Sequence, residues 1–242
     1  MPDLPRLAAV AALVTGLLVA SGCTDTDDSP GTPQSGDSPA TGTSAPAPSS
    51  PTSATPSPSE TPLTLADRLL PTAEVPGLNA SWTWQDGETG PAGTEPFGFC
   101  AKADLASIGA TEVVERSYFP PDDSDDSAAQ QVAEFPDVRT ARTAWTVLKA
   151  WHDRCAKSAS AEIALKNRPL VDVPVTAGSG RWYLLSWQPP GEETGRFEAL
   201  GMVLDGTRIA VLRIDNSGQD YNYPAGQEPM VGMTTAAANR LD

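Results

Sequence analysis

A single histidine, a run of acids, six tryptophans and three cysteines are the residues of this chain whose types can do chemistry. His152 is the one imidazole a Ser-His-Asp site could use. It sits inside a stretch of helical periodicity with no nucleophile placed beside it, and no Gly-x-Ser-x-Gly elbow occurs. A packing role on that helix is the expectation. There is no Gly-rich phosphate loop. Asp122, Asp123, Asp125 and Asp126 invite a calcium loop, and counting from Asp123 puts Glu134 at the twelfth position. The sixth position, however, is Ala128, where the sharp turn of such a loop needs glycine. These acids are expected to form a solvated hairpin loop, and no metal or cofactor is expected. Paired carboxylates alone can hydrolyse a glycosidic bond, so a cell-envelope hydrolase built on two acids is the enzymatic alternative. The tryptophans at 82, 84, 145, 151, 182 and 187 suggest sugar stacking, but aromatic side chains also dominate cores. Trp182 and Trp187 fall on opposite faces of one predicted strand. Trp187 is taken as the candidate ligand contact.

Cys23 follows an apolar run, Leu7 to Ala20, interrupted by Thr15 and Gly16. The run is shorter than the roughly 20 residues that span a bilayer. It has the length of an export-signal core, with Arg6 as its positive start against Asp3. It ends in Val19-Ala20-Ser21-Gly22-Cys23, which resembles the bacterial lipobox, with Ala20 where leucine is usual. The resemblance implies that residues 1–22 are a lipoprotein signal peptide and that Cys23 carries the lipid. Several acyl chains on one cysteine anchor stably where a single chain is marginal. The expected location is the extracytoplasmic face of the cell membrane, held by the lipid anchor. In an exported domain the two other cysteines, Cys100 and Cys155, are expected to join. Closing a loop of that length adds about 4 kcal/mol in the chain-entropy model. No CxxC spacing gives this bond a redox role.

Between Thr24 and Pro62 there are nine Pro, nine Ser and eight Thr, with no aromatic residue and no Val, Ile, Leu or Met. Such a tract cannot bury apolar surface, so residues 23–62 read as the lipidated cysteine and a disordered linker. Stretched out, it reaches on the order of 120 Å at ~3.1 Å per residue. The formal net charge is −15. Asp25, Asp27, Asp28, Asp37 and Glu60 lie in the linker without a compensating base, which leaves −10 on residues 63–242. A surface of that sign repels a phosphate backbone, so no nucleic acid is expected as partner. It repels anionic lipid heads as well, so attachment must come from something other than a basic patch.

Residues 63–242 form one domain large enough for a real core. Short helices are predicted over Thr64 to Leu70, with Thr64 as cap, and over Lys102 to Ile108, ended by Gly109. Strands are predicted over Ser81 to Gln85, Glu112 to Phe119, Ala128 to Phe135, Ala161 to Leu165, Trp182 to Trp187, Arg196 to Leu204 and Arg208 to Ile214. The clearest helix starts at Pro136-Asp137, with Asp137 as cap. Its apolar face holds Val138, Ala141, Ala144, Trp145, Leu148, Trp151 and Cys155. Pro229 opens a last helix running to about Arg240. The order predicts an α+β domain: a curved antiparallel sheet with the long central helix and the C-terminal helix packed on one face.

Asp205-Gly206 between two apolar runs is a strong hairpin signal. With those two residues as the loop, Leu204 faces Thr207, Met202 faces Ile209 and Leu200 faces Val211. Glu198 then falls opposite Arg213, and Arg196 opposite Asp215, two favourable cross-strand pairs. The other face holds Val203, Gly201, Ala199 and Phe197 against Arg208, Ala210, Leu212 and Ile214. Its small residues would let a helix or a ligand approach closely. Glu198 and Arg213 are the candidate pair for orienting a polar ligand.

Two stretches together resemble a known family. One is Phe99-Cys100, Ile108-Gly109-Ala110 and Val114-Glu115-Arg116-Ser117-Tyr118. The other is Gln131 to Asp137 with Ala141, Ala144, Trp151 and Cys155. The chain is similar here to the PknH-like extracellular sensor domains of a mycobacterial serine/threonine kinase and of stand-alone actinobacterial lipoproteins. The resemblance runs over roughly residues 63–240. It implies a cleft-bearing antiparallel sheet and binding of an unidentified extracellular ligand, a small molecule or an envelope component. The kinase sensor has a second cysteine pair in its C-terminal half, and this sequence has none there. With no kinase domain in this sequence, a signal would pass through a partner in the membrane.

Overall fold

The structure, a computed structural model, describes residues 63–158, 163–218 and 220–242. The export signal, Cys23, the linker and the first two residues of the strand expected at Ala161 lie outside the described residues. Eight strands form one antiparallel sheet: β1 (Gln85–Pro91), β2 (Glu112–Phe119), β3 (Ser127–Glu134), β4 (Lys166–Asn167), β5 (Val171–Val173), β6 (Ser179–Trp187), β7 (Gly195–Asp205) and β8 (Arg208–Gly218). Their order is β1-β2-β3-β8-β7-β6-β4, with β5 also on β6. The helices are α1 (Val138–Ser158) and α2 (Pro229–Leu241). The α+β architecture expected from the element order is present.

Helix α1 carries the chain from β3 to β4, across β8, β7 and β6. Its 21 residues give a rod of about 30 Å, longer than the ~19 Å between strands four places apart. Asp137 caps it, accepting the Thr140 N–H at 2.8 Å, and this donation holds the Asp137 carboxyl below the usual carboxylate range. Ala141, Ala144 and Trp145 pack on Ala129, Ala133, Met202, Ile209 and Val211. Helix α2 packs on the other alternating set: Val132, Ala199, Val203, Ala210, Leu212 and Ile214. The two helices therefore cover opposite faces, and the expectation of one shared face is corrected. The cause lies in β7, buried without a break from Phe197 to Val203, and in β8, buried from Ile209 to Leu212. Strands apolar on both sides need a cover on both sides.

The hairpin register also differs from the expectation. Asp205 pairs with Arg208, so the two-residue loop is Gly206-Thr207, with Gly206 at a φ of 53°. Glu198 lies opposite Asp215, Leu200 opposite Arg213, and Arg196 opposite Ser217. The slip is two residues, so every side chain keeps its predicted face while its partner changes.

Further differences are local. Ser81 to Trp84 is not a strand; the strand starts at Gln85. Trp84 is buried, its indole N–H donating to the Pro76 carbonyl at 2.9 Å, and Trp82 meets it edge-on at 5.3 Å. The expected short helices are single 3-10 turns, Ala66–Arg68 and Ala106–Ile108, the second ended by Gly109 at a φ of 108°. Thr64 acts at the first, its Oγ1 accepting the Asp67 N–H at 3.3 Å. Of the strand expected at Ala161 to Leu165, the described residues 163–165 are irregular, and the short β4 follows them.

Helix α2 sits close because β7 offers no side chain at Gly201. A Cβ there would lie 2.4 Å from Thr234 Oγ1 and 2.6 Å from Met230 Sδ. Thr234 satisfies its buried hydroxyl within the helix, donating to the Met230 carbonyl at 2.7 Å. Arg68 and Arg208 close the far end of α2, each donating to the Leu241 carbonyl. Gly201→Ala is expected to destabilise the fold by about 2 kcal/mol through overpacking. Gly90→Ala, whose Cβ would meet nothing within 4 Å, is expected to change little. Urea unfolding of the two variants checks the difference.

Candidate functional site

Glu198, taken from the sequence as a ligand contact, is buried at 5% exposure on the α1 face. The segment Phe97-Gly98-Phe99-Cys100 lies over it. Both carboxylate oxygens accept the Phe99 N–H, at 2.9 and 3.0 Å. Gly98 has a φ of 90°, and a Cβ there would lie 2.8 Å from Leu200 Cδ1. Phe97 places its ring 5.1 Å from the Arg213 guanidinium carbon. Cys100 forms the expected disulfide with Cys155 of α1, with a Cα separation of 5.1 Å. Arg213 Nε is 2.9 Å from Asp215 Oδ2, on its own strand, and Ser127 Oγ donates to the same oxygen at 3.2 Å. The structure thus brings Glu198, Arg213 and Asp215 together, with Glu198 under a lid of chain and Arg213 and Asp215 half-buried beside it.

Burial, and then the charge of Asp215, push the Glu198 carboxyl up to about 7 against the Phe99 N–H, which favours the anion. Burial raises Asp215 too.

Beneath α1, between the Phe97–Leu105 segment and β6, β7 and β8, there is an apolar cavity of about 30 Å³. That is room for water-sized occupants only. A larger groove, of about 620 Å³, opens at the other end of β7. It lies where Phe197, Ser186 and Lys166 sit side by side across β7, β6 and β4, at the end of the α2 face. Arg168, Tyr221 and Asn222 join them. Its size falls in the range of small-molecule sites. Trp187 borders this groove from the end of β6, with its ring 5.3 Å from that of Phe99. Of the three residues singled out in the sequence, it alone reaches the groove; Glu198 and Arg213 do not line it.

Sequence reasoning missed Lys166, Arg168 and Tyr221. They come from a two-residue strand and an irregular segment, where no periodic pattern exists. His152 takes the packing role expected of it. It is buried, its ring is 4.5 Å from that of Tyr183, and its Nε2 is 2.9 Å from the Arg168 carbonyl.

The raised Glu198 pKa makes stability depend on pH with a definite sign. The folded state holds the proton more tightly than the unfolded chain. The stabilisation is therefore full below the unfolded value of about 4.5 and is lost as pH rises toward 7. Gln at this position keeps an acceptor for the Phe99 N–H and removes the buried charge. Glu198→Gln is expected to flatten the fall in melting temperature between pH 5 and 8. At pH 8 it should be the more stable protein, by on the order of 3 kcal/mol. Parallel melting curves of the two proteins across that range read this directly.

No family model matches the chain. No curated protein matches its sequence. Among solved structures it is similar to the extracellular domain of PknH from Mycobacterium tuberculosis. The TM-score is 0.52 at 15% identity, over 73% of this chain and 94% of that one. At that identity the likeness is one of fold, which in this chain is held by the Cys100–Cys155 disulfide.

Proposed function

We propose that this chain is a lipid-anchored extracytoplasmic protein whose domain senses or binds a ligand without catalysis. The observation that carries the reading is the fold, which matches an extracellular sensor domain over nearly all of that domain's length. The lipobox-like Val19 to Cys23 and the Pro/Ser/Thr-rich tract behind it agree with a domain held outside the membrane on a tether. The 620 Å³ groove gives such a domain a place for a small molecule or an envelope fragment. Any signal passes to a membrane partner.

The second reading is a hydrolase using a carboxylate pair. The directly opposed Glu198 and Asp215 favour it, because strands in register hold two acids near each other. Against it, Glu198 is sealed under Phe97 to Cys100, and neither acid lines the groove or the cavity.

Two measurements test the first reading. Cys23→Ser is expected to move the protein from the membrane fraction to the medium; a variant that stays membrane-bound refutes the anchor. Native mass spectrometry of the full chain from its own cells is expected to show a retained small molecule. Turnover of a wall glycan, with nothing retained, would make the hydrolase the better account.

A further inference from the structure

Resting on the reading of the chain as a ligand-binding module, we propose that the groove between β4, β6, β7 and the segment after β8 binds a saccharide bearing one carboxylate or phosphate group. Its floor is aromatic. The Phe197 and Tyr221 rings lie 5.7 Å apart at 36°, and Tyr221 is backed edge-on by Tyr223 at 4.7 Å. Tyr223 is itself fixed, its hydroxyl donating to the Leu78 carbonyl at 2.6 Å. A rigid aromatic surface of this kind takes the C–H face of a sugar ring at low cost in conformational entropy.

Two polar atoms beside Phe197 are left over, one of them on Tyr221, which lines the groove. Tyr221 Oη and Asn216 Oδ1 are buried and have no hydrogen-bond partner among the described residues. Asn216 lies directly opposite Phe197 on β8. Buried polar atoms are almost always paired, so the orphan Tyr221 hydroxyl at the groove calls for a ligand that can hydrogen-bond.

The cations give the second half of the argument. Arg181, Arg196, Arg208, Arg213 and Arg240 are all tied to carboxylates. Lys166 and Arg168 are exposed on the groove and make no ion pair among the described residues. The backbone of Arg168 is nevertheless held from both sides. Its N–H donates to the Leu184 carbonyl at 2.9 Å, and its carbonyl meets His152. Asn167 donates to the His152 carbonyl at 2.8 Å. The buried histidine of α1 is thus a positioning residue that pins the cationic strand. Glu193 and Asp220 also border the groove, together with Gln188 and Asn222. Two acids beside two cations disfavour a polyanion. They suit a ligand with a single anionic group and many hydroxyls, which the acids and amides can bind.

Saturation-transfer NMR on the full chain in detergent micelles, with glucuronate, glucose 6-phosphate and glucose as probes, tests this. The ring protons of at least one charged sugar should receive saturation, and those of glucose about tenfold less, the worth of one charge-assisted contact. The identity of the responding probe tells carboxylate from phosphate. Lys166→Ala with Arg168→Ala should bring the charged sugars down to the glucose level at an unchanged melting temperature. Tyr221→Phe should weaken whichever sugar binds. Equal transfer to glucose overturns the proposal, and so does charged-sugar transfer that survives the double substitution. If no sugar responds but the wild-type chain retains another molecule that the double variant loses, the saccharide assignment falls and the binding module stands. If nothing responds and nothing is retained, both fall.

Discussion

The two central strands, β7 and β8, are apolar on both sides, and the rest of the domain answers that constraint. Phe197 to Val203 and Ile209 to Leu212 have no solvent face. A sheet left bare on either side at this point would expose a wide apolar patch. One helix cannot cover both sides, so the chain spends α1 on one and α2 on the other. Each cover then needs its own fastening. Helix α2 gains depth at Gly201, and its end is closed by Arg68 and Arg208. Helix α1 is tied by the Cys100–Cys155 bond to a segment that packs on Leu200 and donates to Glu198. The disulfide and the buried carboxylate are two ends of one clamp.

The same constraint separates what the sequence reveals from what it hides. Strands β2 and β3, both long helices and the disulfide are legible, because periodicity, caps and cysteine count each bear on a local choice. The sidedness of the helices was also present in the residues. Phe197 to Leu204 does not alternate apolar with polar, and a continuous apolar strand signals two covers. The hairpin register was not decidable that way. Asp205-Gly206 and Gly206-Thr207 both place glycine in a two-residue loop, and the two registers differ by two residues, so the alternation is identical in both. Trp82 and Trp84 misled for a related reason. Their spacing copies a strand, but they pack against each other in an irregular segment. The true edge strand, Gln85 to Pro91, has no large apolar residue to mark it.

The groove was the least legible part. Its residues come from β4, β6, β7 and a segment beyond β8, and they meet only through the sheet order. Net charge masked it as well. A domain at −10 reads as uniformly repelling anions, yet Lys166 and Arg168 both lie on one groove without an ion pair among the described residues, while Arg181, Arg196, Arg208, Arg213 and Arg240 are spent on carboxylates. Charge summed over a chain says little about a site a few ångströms wide, because screening confines each charge to about 10 Å of its surroundings.

Phe197 and Glu198 are neighbours in β7 and point to opposite faces. The aromatic floor of the groove and the buried carboxylate are therefore back to back across one thickness of sheet. The carboxylate face is closed by Phe97 to Cys100, and the aromatic face is open. Proton binding at Glu198 acts on the clamp, and so on stability. The proposed ligand in the groove would act on Tyr221, Lys166 and Arg168. Besides β7 itself, a covalent and hydrogen-bonded route between the two sides runs through α1, from Cys155 to His152 and on to the Arg168 carbonyl. His152 of α1 holds the Arg168 carbonyl and the Asn167 side chain from the groove's edge, while the disulfide at Cys155 holds the cover over the acid, so one helix positions residues on both sides of the sheet.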